Sequence, residues 1–120
     1  MNGLRFVADT NFLINVHEGV PNTEPFLDGA VIISIISEIE LLGWPDLTSL
    51  EKKKLKEMLQ DCIIIELTHE IKNIAIEIRQ QIAIKTPDAI IAATASFMQL
   101  PLVTSDRDFK KIKNIEIILI

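Results

Sequence analysis

Short runs of β-branched residues constrain this chain more than anything else in it. It holds 22 isoleucines, many in blocks such as Ile32-Ile33 and Ile63-Ile64-Ile65. Runs of this kind, too short for helices and apolar at every position, read as strands buried on both faces. Strands are therefore expected at 4–8, 30–35, 62–67, 102–104 and 116–119.

Helical patterns fill the gaps. Residues 11–17 follow Asp9 and Thr10, either of which can cap a helix. A segment over 37–44 opens at Ser37 and stops before Pro45. Thr48 with Glu51 three positions on is a capping box for a helix over 49–61. Ile71, Ile74, Ala75, Ile78 and Ile82 recur at helical spacing over 69–83. Thr86-Pro87-Asp88 combines a capping threonine with a first-turn proline, and that helix runs to about Gln99. Strands alternating with helices predict an α/β fold, a parallel sheet with helices on both faces. In such sheets ligands bind beyond the carboxyl ends of the strands.

A length of 120 residues suits one domain, expected over 1–120. The single cysteine, Cys62, excludes a disulfide framework and a four-cysteine zinc site within the chain. His17 and His69 are far apart and fit no zinc-peptidase spacing. No apolar stretch approaches the ~20 residues of a membrane span, and the N-terminus lacks a secretory pattern. A cytoplasmic protein without membrane contact is expected. Seventeen acids against 12 bases, a net charge of −5, argue against a simple basic clamp on nucleic acid.

The acids fall in telling places. Asp9 ends the first strand, Asp88 lies in the first turn of a late helix, and Asp106 follows the strand at 102–104. A glutamate, Glu38 or Glu40, lies early in the helix after the second strand, and spacing does not choose between the two. Removing Asp9, Glu40, Asp88, Asp106 and Asp108 from the count leaves 12 acids against 12 bases. Each acid also has a plain reading. Asp9 is a cap, Asp88 a residue favoured by the helix dipole, Glu40 a solvated residue, and Asp106 and Asp108 turn residues. Gathered at one rim, they would repel one another unless protons or a cation neutralised them. A carboxylate cluster free of histidine and cysteine suits a hard ion such as Mg2+ or Mn2+, which can lower the pKa of a water and stabilise a phosphoryl transition state.

Four stretches resemble the PIN-domain nucleases, and among them the VapC-like toxins of toxin–antitoxin pairs. They are Val7-Ala8-Asp9-Thr10-Asn11-Phe12-Leu13-Ile14, Ser37-Glu38-Ile39-Glu40-Leu41-Leu42-Gly43, Pro87-Asp88-Ala89-Ile90-Ile91-Ala92-Ala93-Thr94-Ala95 and Leu102-Val103-Thr104-Ser105-Asp106-Arg107-Asp108-Phe109, in the family's order. The resemblance implies a three-layer α/β/α fold and a Mg2+- or Mn2+-dependent endoribonuclease. It implies Asp9, Glu40, Asp88 and Asp106 as the acidic site, with Asp9, Asp88 and Asp106 on the metal, and it favours Glu40 over Glu38. Asp108 matches a variable position, and Asn11 and Thr104 match polar positions that hold the acids. The resemblance also implies an RNA substrate, a cognate antitoxin and, in many members, a homodimer.

An acidic pocket still needs help to hold RNA. Lys110, Lys111 and Lys113 follow the Asp106 segment directly and are the better-placed candidates. Arg79 and Lys85, near the start of the Asp88 helix, are further ones. Lys52, Lys53, Lys54 and Lys56 read first as a solvated helix face. Competing readings are an RNA-processing PIN nuclease without an antitoxin and an inactive metal- or RNA-binding PIN module. Phosphotransfer receivers and haloacid-dehalogenase-like phosphatases rank low. Asp9 has no adjacent acid, and Asp9-Thr10-Asn11 lacks the second aspartate of an Asp-x-Asp.

Overall fold

The computed structural model describes residues 3–120. Five strands, β1 (Arg5–Ala8), β2 (Ala30–Ser34), β3 (Ile63–Ile65), β4 (Leu102–Thr104) and β5 (Ile117–Leu119), form one sheet in the order β3-β2-β1-β4-β5. Every pairing is parallel, with Val7 opposite both Ile32 and Leu102. Five helices cover it: α1 (Thr10–His17), α2 (Ile35–Leu42), α3 (Ser49–Gln60), α4 (His69–Gln81) and α5 (Thr86–Met98). This is the predicted α/β architecture, a parallel sheet between helical layers. No helix among the described residues is long and apolar enough to cross a membrane.

The isoleucine runs serve two cores at once. Successive strand residues point to opposite faces. Val7, Ile32 and Leu102 join α4 and α5 on one side, and Phe6, Ala8, Ile33 and Val103 join α1 and α3 on the other. Phe6, Phe12 and Phe26 meet edge-to-face on the second side, with centroids 5.5 to 6.1 Å apart.

α5 is the deepest helix. All seven residues from Ala89 to Ala95 are buried. Four of them are alanines, which lets α5 lie close to α4, α2 and the central strands. α3 presents only Leu55 and Leu59 as buried residues, and Lys52, Lys53, Lys54 and Lys56 are exposed. Its start is fixed by the predicted capping box, with Thr48 Oγ1 accepting from Glu51 N–H and Glu51 accepting from Thr48 N–H, both at 3.0 Å.

Three details depart from the expectation. α2 begins at Ile35, because Ser34 ends β2 and its hydroxyl accepts the Ile36 N–H at 3.1 Å. Ile35, read as strand, and Ile36, left between the two elements, are thus helical. α5 begins with Thr86 as its first residue, and Lys85 occupies the cap position without a side-chain bond. The segments Pro21–Phe26 and Arg107–Lys111 form 3₁₀ turns that no residue pattern marks.

Candidate functional site

β1 and β4 lie side by side at the centre of the sheet, so the residues that leave their carboxyl ends are neighbours. Asp9 follows β1 and is 2% exposed. Its Oδ1 accepts the Phe12 N–H at 2.8 Å, which caps α1. Its Oδ2 accepts from the Thr104 hydroxyl at 2.5 Å, across 95 residues of sequence. Capping and membership of the acid cluster are therefore combined in one side chain. Thr104 Oγ1 also accepts the Asp106 N–H at 2.9 Å, and Asp106 Oδ1 accepts the Asp108 N–H at 2.9 Å. One hydroxyl thereby fixes the turn that presents Asp106 beside Asp9.

Asp88 arrives from the first turn of α5. Glu40 arrives from α2, held by a 2.5 Å hydrogen bond from the Thr10 hydroxyl, which is also 3.0 Å from Ser37 Oγ. Glu38 instead lines a separate hollow with Lys56, Gln60 and Ile64. Topology thus separates two glutamates that spacing left equivalent. Sequence reasoning missed Thr10 and Ser37 as positioning residues. Thr10 is 30 positions from Glu40 and 27 from Ser37, beyond the reach of any local pattern. Asn11 is exposed, and among the described residues its side chain bonds to none of the acids.

The acids sense one another. Burial raises the Asp9 pKa from 3.8 to about 6, against the lowering effect of the Thr104 and Phe12 bonds and with further raising by Asp106 and Asp88. Asp88 is raised as well, first by burial and then by Asp106 and Glu40, while Lys85 lowers it and Asp108 raises it slightly. No lysine or arginine among the described residues pairs with Asp9, Glu40, Asp88 or Asp106, and Lys111 pairs with Asp108 at 3.9 Å. Among the described residues the four rim acids therefore have no ion-pair partner, and Lys85 offsets the charge on Asp88 only from a distance.

That donor set is all oxygen, the chemistry that Mg2+ and Mn2+ prefer. Among the described residues no three of His, Cys, Asp or Glu converge closely enough to form a ligand cage by themselves. Such spacing fits an ion held by one or two carboxylates with water completing its shell, as Mg2+ commonly is. Lys110, Lys111 and Lys113 are exposed just past Asp106, and Lys111 and Lys113 line a cleft with the end of α4.

Several solved structures share this fold. VapBC2 from Rickettsia felis, bound to a DNA fragment from its promoter, matches with a TM-score of 0.84 and 21% identity over 95% of this chain and 97% of that one. A toxin–antitoxin complex from Klebsiella pneumoniae matches with a TM-score of 0.78 and 28% identity over 92% and 94%. DNA-bound VapBC from Salmonella typhimurium gives 0.80 and 23% over 95% and 96%. No curated protein matches the chain by sequence. The PIN domain family matches residues 6–115, nearly the whole of the strand–helix alternation and all four rim acids. Among its structural neighbours the Klebsiella pneumoniae structure is a toxin–antitoxin complex, and the chain itself belongs to the PIN domain family, a family of nucleases.

Proposed function

We propose that this chain is a divalent-metal-dependent endoribonuclease and the toxin of a toxin–antitoxin pair, built as one PIN domain over residues 1–120. The observation that carries the reading is the acid rim around Asp9. Burying a carboxylate among others with no counter-ion costs stability, and a cation would remove that cost. An Asp9 pKa near 6 against 3.8 corresponds to about 3 kcal/mol at neutral pH. A solvated helix cap alone would not incur it.

In this reading Asp9, Asp88 and Asp106 would hold Mg2+ or Mn2+, one or two of them directly and the rest through bound water, and the ion would neutralise the rim and stabilise charge on the phosphoryl oxygens. Thr104 fixes the orientation of Asp9 and the Asp106 turn together. Glu40, aimed by Thr10, orients or deprotonates the attacking water. In-line displacement leaves a 5′-phosphate and a 3′-hydroxyl. Lys110, Lys111 and Lys113 offer phosphate contacts beside the acids. The toxin assignment is supported by the Klebsiella pneumoniae neighbour, which is a toxin–antitoxin complex. A cognate antitoxin is the matching partner.

The test is cleavage of total RNA by the purified chain with Mn2+, with Mg2+ and with chelator, beside Asp9→Asn and Asp88→Asn. Discrete metal-dependent cuts are expected, reduced about 100-fold or more in either variant, the scale for removing a group that acts in the transition state. Cutting that survives chelator or Asp9→Asn overturns the proposal.

A further inference from the structure

Lys111 and Lys113 share one cleft whose apolar floor has no role in the scheme above. It lies between the last turn of α4 and the end of the 3₁₀ turn that follows Asp106, and measures about 250 Å³. Ile78, Ile82 and Ile112 make its apolar part, Gln81 adds an amide, and Lys111 and Lys113 complete the lining. We propose that this cleft seats one unpaired base of the RNA strand, with Lys111 and Lys113 on the phosphates that flank it. The inference rests on the ribonuclease reading and names the form of its substrate.

Three observations carry it. The first is charge. In a chain of net charge −5, both titratable side chains lining this cleft are cationic. An anionic ligand is the complement of such a lining. The second is position. α4 ends where the connection to α5 begins, and Asp88 stands in the first turn of α5. Lys111 reaches back to Asp108 at 3.9 Å. The cleft is thus joined to the rim on two sides, through Lys111 to Asp108 and through the α4–α5 connection to Asp88, so a strand seated in it has the acids as neighbours. The Lys111–Asp108 pair is exposed, so little stability goes when a phosphate replaces the carboxylate.

The third is shape and chemistry. A cleft slightly below the ~300 Å³ at which drug-sized pockets begin has room for one flat ring system. Its isoleucines contact the face of a base, and the Gln81 amide offers a donor and an acceptor to its edge. A paired base in an A-form helix cannot enter, because its edge is turned into the duplex. Single-stranded or looped RNA is the substrate class that fits.

Fluorescence anisotropy with the uncleaving Asp88→Asn protein tests this. The probes are labelled eight-nucleotide homopolymers of the four bases and an RNA duplex of mixed sequence. On that background, Lys111→Ala with Lys113→Ala should weaken single-strand binding about tenfold. It should also reduce the salt slope by about 1.4, since each phosphate left without its lysine takes away roughly 0.7. Gln81→Ala should change the ranking of the four homopolymers, and the duplex should bind at least about tenfold more weakly than the best of them. Lys52→Ala with Lys53→Ala, on the opposite face, should leave binding within about twofold. Melting temperatures report whether each variant is folded. Single-strand binding that ignores the Lys111 and Lys113 changes, or a duplex bound equally well, overturns the cleft assignment while leaving the ribonuclease reading standing. Failure of the Asp88→Asn protein to bind any RNA overturns both. A labelled acidic peptide that binds the parent but not the cleft variants, while RNA binding stays unchanged in both, would overturn the proposal and assign the cleft to a protein ligand.

Discussion

α5 and α3 lie on opposite faces of one sheet and are held there by different means. α5 is buried through seven consecutive residues, and its alanines let neighbouring backbones close in. α3 touches the core through Leu55 and Leu59 and owes its start to a capping box. The first is fixed by surroundings, the second by its own end and one stripe. The lesson concerns placement. The helix that carries a rim acid, Asp88, is the one that packing leaves no freedom to shift.

The largest expected effect breaks that contrast directly. Ala92→Leu inserts three heavy atoms where Ala92 is fully buried and should cost about 3 kcal/mol by urea denaturation. Lys54→Leu, a larger chemical change on exposed α3, should stay within about 0.5 kcal/mol. Equal costs would show that α5 has room the packing does not suggest.

A second expectation concerns the electrostatic cost on the side that α5 closes. The Asp9 pKa is raised in the folded state, from 3.8 to about 6. The native state therefore holds more protons between those values, and metal-free stability falls as pH rises through that window. Asp9→Asn removes the charge but leaves an imperfect partner for Thr104. In chelator it should raise stability by about 1–2 kcal/mol at pH 7.5 and by little at pH 3.5. A variant less stable than wild type at pH 7.5 would contradict the burial cost. The smallest effect sharpens the α3 half. Thr48→Ala should cost about 1 kcal/mol, since the capping box does for α3 what burial does for α5.

Legibility in the sequence follows the range of each interaction. The capping box at Thr48 and the proline start of α5 are local, and both are readable. The central strands are readable as buried, whereas Ile63 on edge strand β3 is exposed and β5 is only half-buried, against the expectation of burial on both faces; which residue faces which core is not readable. The residues that reach the two cores are consecutive and apolar, as in Phe6-Val7-Ala8 and Ile32-Ile33, so no alternation marks the faces. Ile35 misleads because a β-branched residue reads as strand, whereas the Ser34 cap turns it into helix. At the rim, family resemblance points to Glu40, and the physical basis becomes visible only with Thr10 and Asp88 in space. The uncapped start of α5 and the exposure of Asn11 depend on backbone direction, which no residue pattern here encodes.

The sheet order has a consequence for how the chain is made. β1 sits between β2 and β4, yet β4 is the fourth strand to be synthesised. The Thr104 hydroxyl that orients Asp9 lies 95 residues downstream of it. A nascent chain can therefore pair β1 with β2 early, but it cannot complete the acid rim until β4 and the Asp106 turn have left the ribosome. Pairings of such long sequence separation close late and slowly. A product truncated before Asp106 thus lacks the rim, and only a chain synthesised past that turn can assemble it.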